Sequence, residues 1–258
     1  MSSVELTADG HVTTVTLNRP EALNAISGEM ADELGGAVLQ AAADPACWVV
    51  LLTAAGEKAF CVGADLKERG GLDDAGWMRN RVQMRGLFES LRAVPQPTIA
   101  GVFGFALGGG FELALSCDFI VCSDDTQLGL PEVRVGIIPG GGGTQLVSRR
   151  IGTARAKDLV LTGRRLSSQE ALSFGLVQRV VPRSELGTAT RELAEELCRN
   201  APVSLREAKH AIDRGIEVPL DHGIDIEDAA WRRAVASADR REGIAAFNEK
   251  RDPDWKGR

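Results

Sequence analysis

The sequence predicts an α/β core followed by a helical C-terminal region. Strand and helix patterns alternate through roughly the first 180 residues, and only helical patterns follow Ser184. The run WVVLLT at residues 48–53 is continuously apolar and rich in β-branched side chains. Such a run is typical of a strand that is buried on both faces of a parallel sheet. Together these observations place the chain in the α/β class.

The first elements carry clear local signals. Residues 3–8 and 11–17 read as two short strands around Asp9-Gly10, which predicts a β-hairpin. Ser27 is a suitable N-cap for a helix over residues 28–43, where apolar side chains recur at helical spacing.

The remaining elements follow from the same patterns. In chain order we expect a short strand before Gly63, a helix over residues 74–93, a strand over 97–104, a helix from about Gly109, strands over 118–123 and 126–130, a helix from Thr144 toward Arg150, and a strand over 177–181. Ser167 to Glu170 fits a capping box, and Gly175 is a candidate stop for the helix that it begins. Pro202 and Pro219 divide the C-terminal helices.

Composition limits the classes of partner. The chain has 258 residues, of which 44% are hydrophobic and 26% charged, as in ordinary globular proteins. Its formal net charge of −6 argues against nucleic acid as a main partner. The first residues lack the basic and apolar regions of a signal peptide, and no apolar run approaches the ~20 residues of a membrane span. We therefore expect a cytoplasmic protein that binds neither nucleic acid nor membrane.

Cysteine and histidine spacing argues against a metal site. The five cysteines form no CxxC pair and lie mostly in apolar runs, so we interpret them as small buried hydrophobic residues. The three histidines are scattered and have no spacing typical of metal ligands.

Two glutamates lie where charge is costly. Glu112 is the only ionisable side chain between Phe103 and Cys117, and Glu132 follows the apolar segment TQLGL and a proline. A buried carboxylate is expensive unless it is paired or protonated. We expect burial and mutual repulsion to raise the pKa of at least one of them, which suits proton transfer near neutral pH.

Two glycine clusters accompany the glutamates. Gly108-Gly109-Gly110 lies between a strand and a helix, where free backbone N–H groups suit a developing oxyanion. A second cluster occupies residues 140–143. The chain contains no P-loop, no GxGxxG in its first strand–helix unit, no GxSxG and no HExxH. What remains is a set of backbone donors and carboxylates, which can stabilise an enolate and move protons.

Each feature also has a structural interpretation. The glycine triplet fits close helix–strand packing, Glu112 fits a surface residue at a helix start, Glu132 fits a solvated loop residue, and Lys250 with Arg251 fits a solvated helix end. For residues 140–143 the structural interpretation is favoured.

Several ordered motifs resemble the enoyl-CoA hydratase/isomerase (crotonase) family. They are LNRPEALNAIS, AFCVGADLKE, IAGVFGFALGGGFELALSCDFIVCS, GLPEVRVGIIPGGGGTQ and the C-terminal AFNEKR, and they span essentially the whole chain. The resemblance implies a crotonase-like spiral of ββα turns over residues 1–195, which holds the active site. It further implies a helical trimerisation region over residues 196–258 and a homotrimer or homohexamer.

The resemblance also assigns the catalytic groups. The two oxyanion-hole amides of the family fall on Ala64 and Gly109, and the two glutamates of its hydratases fall on Glu112 and Glu132. Between them the glutamates would activate water for attack at C3 and protonate C2, the latter mainly through Glu132.

The acyl-CoA substrate contributes the only coenzyme that the resemblance implies; it implies no metal and no redox cofactor. The residues that it places along the CoA moiety are Ala64, Asp65, Leu66, Lys67, Gly109, Phe247 and Lys250, of which Phe247 and Lys250 would come from a neighbouring subunit.

The pair of glutamates favours an enoyl-CoA hydratase, which adds water across the 2,3 double bond to give 3-hydroxyacyl-CoA. Alternatives are a methylglutaconyl-CoA hydratase, which GADLKER and IIPGGGGTQ also resemble, an enoyl-CoA isomerase, and a non-catalytic acyl-CoA-binding protein. The acyl pocket is expected from residues 70–90 and the C-terminal helices, with Trp77 and Met78 as candidates to cap it or simply to pack.

Overall fold

Two β-sheets and the helices around them make up the computed structural model, which describes residues 2–258. The strands are β1 (Val4–Asp9), β2 (Val12–Leu17), β3 (Val49–Ala54), β4 (Ala59–Cys61), β5 (Thr98–Val102), β6 (Phe105–Leu107), β7 (Phe119–Ser123), β8 (Gln127–Gly129), β9 (Arg165–Ser167) and β10 (Arg179–Val181). The helices are α1 (Gly28–Ala43), α2 (Leu66–Arg69), α3 (Asp74–Arg92), α4 (Gly109–Leu115), α5 (Gly143–Ile151), α6 (Thr153–Thr162), α7 (Ser168–Ser173), α8 (Leu186–Cys198), α9 (Pro202–Gly215), α10 (Leu220–Ala236) and α11 (Ala238–Glu249).

The chain winds between the two sheets as a spiral. One sheet has the order β1-β2-β3-β5-β7-β10 and the other the order β4-β6-β8-β9. Within the sheets only the β1–β2 and β8–β9 pairs are antiparallel. The pairs β3–β4, β5–β6 and β7–β8 each place one strand in each sheet before the chain enters helix. The predicted α/β class and the spiral of ββα turns are therefore confirmed.

The apolar run at β3 is explained by burial on both faces. Val49 and Leu51 pack in the hydrophobic cluster beneath α8, whereas Val50 and Leu52 pack in the larger cluster between the sheets. Alternate side chains of a strand point to opposite faces, so residues 49–52 are apolar on both faces of β3. The prediction of a buried parallel strand is confirmed.

The predicted caps are also present. The Ser27 hydroxyl accepts a hydrogen bond from the Met30 amide at 3.1 Å, and α1 has the predicted bounds. Ser167 and Glu170 form a reciprocal capping box at the start of α7. That helix ends just before Gly175, whose φ is +76°.

The predicted strand over residues 97–104 extends two residues too far. It ends at Val102, and the chain then crosses to the second sheet and forms β6 before the glycine triplet. The crossing occurs at Gly104, where φ is +53° and a Cβ would lie 2.2 Å from the Lys58 carbonyl oxygen. Only glycine fits there, and the extended run is broken for that reason. The short elements α6 and β9 were not predicted.

The cysteines are free thiols in apolar surroundings. Four are buried and Cys198 is partly buried, as predicted. Burial raises the pKa of Cys61, Cys117 and Cys122 to about 12, so these thiols stay protonated and unreactive at neutral pH.

Residues 2–258 include no helix with the length and apolar character that a membrane span needs. They also include no group of three His, Cys, Asp or Glu side chains arranged to hold a metal ion.

The C-terminal helices attach to the core at α8 and α9. Helix α8 packs against the six-stranded sheet, and the expected boundary at residue 195 falls inside it. On α9, Lys209 Nζ donates to Asp118 Oδ2 at 2.6 Å and to the Gln96 carbonyl at 2.9 Å. Asp118 Oδ2 also accepts from the Thr98 amide, so the ion pair ties α9 to the start of β5. The division of the chain at residue 195 stays a prediction.

We expect Lys209→Met to lower the free energy of unfolding by about 2 kcal/mol, because it leaves the Asp118 carboxylate without its cation. The two side chains are only 13% and 24% exposed, so solvent replaces the lost contact poorly. Urea denaturation at one fixed protein concentration measures the change. Lys157→Met, at an exposed position on α6, is the matched control. Equal midpoints for the two variants would show that the ion pair does not stabilise the fold.

Candidate active site

The predicted glutamates and amides meet at one cavity of about 660 Å³. Its walls come from the turn after β4, from α2 and α3, from the β6–α4 turn and from residues 131–141. Ala64, Gly109, Glu112 and Glu132 all line it. The spiral explains this convergence, since successive turns of the chain deliver their strand ends to the same side of the second sheet.

The amides of Ala64 and Gly109 lie side by side. A Cβ on Gly63 would lie 3.1 Å from the Gly109 nitrogen, and a Cβ on Gly109 would lie 3.7 Å from the Ala64 nitrogen. Among the turn, loop and cap hydrogen bonds of residues 2–258, neither amide donates to a carbonyl. Two adjacent N–H groups with no acceptor at the wall of a cavity can bind one oxygen atom from both.

Glycine is required at two positions of the triplet, Gly108 and Gly110, for different reasons. Gly108 has φ +53°, and a Cβ there would lie 3.1 Å from Glu132 Oε1. Gly109 supplies the amide beside Ala64. At Gly110 a Cβ would lie 2.0 Å from the Cys61 carbonyl oxygen. The packing interpretation of the triplet is therefore correct for Gly110, and the other two glycines border the cavity.

Glu112 is a buried carboxyl group held by backbone amides. Its side chain is on the first turn of α4 and the residue is 2% exposed, which excludes the interpretation as a surface residue. The amides of Gly141 and Gly143 each donate to its Oε1 at 2.7 Å. Burial raises the pKa of Glu112, and the amide hydrogen bonds oppose that rise by stabilising the ionised form.

The amides of Gly141 and Gly143 were not singled out from the sequence. The structural interpretation of residues 140–143 is incomplete, because this cluster holds Glu112 in place. A Cβ on Gly143 would lie 2.9 Å from Glu112 Oε1, so glycine is needed for the amide to approach. The glycine cluster at residues 140–143 is visible in the sequence, but only the fold shows that its amides face the carboxyl group of Glu112.

Glu132 is a partly buried carboxyl group with a different environment. It begins a single 3-10 turn after Pro131, and its Oε2 is buried without a hydrogen-bond partner. Burial, with a smaller contribution from the Glu112 charge, raises the pKa of Glu132 to about 7. The interpretation as a solvated loop residue is therefore wrong, and the expectation of at least one raised carboxyl pKa is confirmed.

The other residues expected along CoA are dispersed. Leu66 lines the cavity, whereas Asp65 pairs with Arg19 at 3.3 Å and caps α2. Lys67 is exposed on that helix. Phe247 and Lys250 are exposed at the end of α11 and do not line the cavity of their own chain.

Helix α3 forms the wall that was expected from residues 70–90. Trp77, Arg81, Met84 and Phe88 line the cavity, while Met78 is 67% exposed and does not. No residue beyond Gly141 lines the cavity, so the C-terminal helices do not supply the expected wall within one chain.

Comparison with known proteins agrees with the geometry. The sequence model of the enoyl-CoA hydratase/isomerase family matches residues 7–258. A short-chain-enoyl-CoA hydratase of Clostridium acetobutylicum is 38% identical over 251 residues, which cover 97% of this chain and 96% of that protein. The human enoyl-CoA hydratase domain-containing protein 2, mitochondrial, is 42% identical over 254 residues, covering 97% and 87%.

A solved structure shows the same fold. The crystal structure of an enoyl-CoA hydratase from Bacillus anthracis superposes with a TM-score of 0.96 at 44% sequence identity, covering 99% of this chain and all of that one. From its motifs, its spiral fold and these similarities, we conclude that the chain belongs to the enoyl-CoA hydratase/isomerase family.

Proposed function

We propose that this protein is an enoyl-CoA hydratase, which adds water across the 2,3 double bond of a 2-enoyl-CoA thioester. One observation carries the proposal: two carboxyl groups with different environments face the same cavity as two adjacent free amides. Such groups supply a base, an acid and an oxyanion site, and the reaction then needs no metal or redox cofactor.

The thioester oxygen lies between the amides of Ala64 and Gly109. When water attacks C3, negative charge moves onto that oxygen as the enolate forms. Amide donors that are already oriented stabilise this charge without reorganising, and one such donor typically contributes about 3 kcal/mol in the transition state. The glycine turns therefore lower the barrier through the backbone alone.

The two glutamates divide the proton transfers. Glu112 has one oxygen fixed by two amides, which favours its carboxylate form and leaves Oε2 to accept a proton from water. Glu132, whose pKa burial raises to about 7, stays partly protonated at neutral pH and gives its proton to C2. One turnover leaves Glu112 protonated and Glu132 ionised. Release of the Glu112 proton to solvent and uptake of one proton by Glu132 restore both groups, so the cycle balances.

The proposal extends to the assembly. Large apolar side chains are exposed on and between α9 and α10, and the prominent ones are Ile212, Ile216, Leu220, Ile224 and Trp231. A surface of this kind supports a homotrimer or homohexamer. In that assembly Phe247 and Lys250 contact the CoA moiety bound to a neighbouring subunit. A cytoplasmic location stays a prediction.

The first test is turnover of crotonyl-CoA. We expect loss of the conjugated enoyl absorbance and a product heavier by one water, identified by mass. A product of unchanged mass from a 3-enoyl thioester would instead indicate an isomerase. Turnover of methylglutaconyl-CoA alone would restrict the substrate to the branched dicarboxylic thioester. Tight acyl-CoA binding without any turnover would contradict the catalytic proposal.

Glu112→Gln and Glu132→Gln test the two carboxyl groups. Each variant keeps the side-chain shape but loses a proton acceptor or donor, so we expect kcat to fall about 1000-fold in each. Binding of acyl-CoA, measured by calorimetry, should be nearly unchanged because the amides remain. Glu29→Gln, at an exposed position on α1, is the control and should keep full activity. Near-normal turnover by Glu132→Gln would exclude Glu132 as the proton donor.

The pH dependence follows from the raised pKa of Glu132. Below about pH 7 Glu132 is mostly protonated and can act as the acid, and above it the fraction that carries a proton falls about tenfold per pH unit. We therefore expect kcat/KM to decline on the alkaline side of a midpoint near 7. The measurement is a pH profile of crotonyl-CoA hydration at subsaturating substrate. A rate that rises steadily through pH 9 would assign Glu132 the opposite role of a base.

A further inference from the structure

A single peptide group separates Arg81 from Glu112. Arg81 Nη1 donates to the Gly140 carbonyl oxygen at 2.7 Å. The N–H at the other end of the same peptide group belongs to Gly141 and donates to Glu112 Oε1, also at 2.7 Å. The C=O and N–H dipoles of a peptide are parallel, so a cation at its oxygen and an anion at its hydrogen both stabilise one orientation and polarise the group.

The two ends of this link differ in burial. Glu112 and Gly141 are buried, and a Cβ on Gly141 would lie 2.4 Å from the Phe88 ring, so that face of the peptide has no room for a side chain or for water. Arg81, Gly140 and the hydrogen bond between them are exposed. Solvent therefore screens the Arg81 charge in part, while the amide end at Glu112 is screened much less.

Other charged groups around Glu112 do not share this connection. Arg92 Nη1 donates to the Gly141 carbonyl at 2.8 Å, but the N–H of that peptide group belongs to Gly142, which is not a donor to Glu112. Arg69 donates to Asn80 Oδ1 at 3.0 Å. On α5, Arg150 bonds carbonyls at the far end of α4. Glu132 is the neighbouring acid, whose charge acts in the opposite direction.

We propose that Arg81 is a positioning residue for Glu112, which it acts on through the Gly140–Gly141 peptide group. Its cation orients the Gly141 N–H toward Oε1 and favours the carboxylate over the protonated acid. Burial raises the pKa of Glu112, and the amides and the Arg81 charge oppose it. The consequence for catalysis rests on the proposed function, in which Glu112 accepts the proton of water.

Arg81 also lines the cavity, and direct contact with substrate is the competing role. The two roles differ in their kinetics. A positioning role changes the ionisation of Glu112 and therefore kcat and the pH profile. Contact with substrate changes KM and leaves the ionisation of Glu112 unaffected.

The experiment measures the ionisation of Glu112 directly. Infrared titration follows the protonated-carboxyl band that disappears in Glu112→Gln, in the wild type and in Arg81→Met, Arg81→Lys and Arg85→Met. Arg85 lies one turn further along α3 in an exposed pair with Glu89 and provides the same loss of charge away from the cavity. Because the Arg81 cation favours the ionised form, we expect Arg81→Met to raise the midpoint by about half a pH unit. In Arg81→Lys the midpoint should lie close to that of the wild type, and in Arg85→Met it should be unchanged.

The same variants are then assayed for hydration of crotonyl-CoA. The acidic limb of kcat/KM should move upward in Arg81→Met by the same amount as the infrared midpoint, with KM nearly unchanged. An unchanged infrared midpoint, or an equal rise in Arg81→Met and Arg81→Lys, would overturn the proposal. A raised KM with an unmoved limb would assign Arg81 to substrate contact instead. If the wild type shows no hydration while the midpoint still shifts, the proposed function fails and the link between Arg81 and Glu112 stands.

Discussion

The closest backbone approach in the site is between Gly110 and the Cys61 carbonyl, where even a Cβ would lie only 2.0 Å from the oxygen. This contact presses the start of α4 against the end of β4. As a result the amides of Ala64 and Gly109 become neighbours, and Glu112 enters the interior one turn later on the same helix. Any side chain at Gly110 would separate the start of α4 from the end of β4 and move all three groups together. The geometry of the site therefore depends on the lack of a side chain at Gly110. Close packing of the backbone there fixes the positions of the three groups.

Burial gives the two carboxyl groups different chemistry because their hydrogen-bond partners differ. Glu112 receives two amide hydrogen bonds that offset part of its desolvation, whereas Glu132 Oε2 is buried with none. The folded state holds the Glu132 proton up to about pH 7, compared with the ordinary 4.5. The folded state thus binds this proton more tightly than the unfolded state does. Its contribution to the free energy of unfolding therefore decreases as the pH rises from 4.5 through 7. In the proposed mechanism the raised pKa that makes Glu132 an acid is maintained at a cost in stability, as is common in active sites.

The sequence predicted what is local or what recurs in ordered motifs. The cap at Ser27, the buried run of β3 and the capping box at Ser167 follow from short-range rules and were correct. The crossing at Gly104 was missed because its cause is the Lys58 carbonyl, which lies far away in the sequence. For the glutamates, the sequence predicted only that a carboxyl pKa would be raised. It did not predict their hydrogen-bond partners, because these come from a glycine cluster that no local sequence pattern connects to them.

Helix α3 shows how one element can combine binding and electrostatics. Its apolar side chains Met84 and Phe88 line the cavity, and the Phe88 ring packs against Gly141. Its arginines Arg81 and Arg92 hold the carbonyls of the same glycine segment. Under the proposed function, a change in α3 that reshapes the acyl pocket and moves Arg81 also changes the field at Glu112. The proposal thus couples substrate range to proton transfer through this helix, so a substitution there cannot be assigned to specificity alone until the ionisation of Glu112 has been measured.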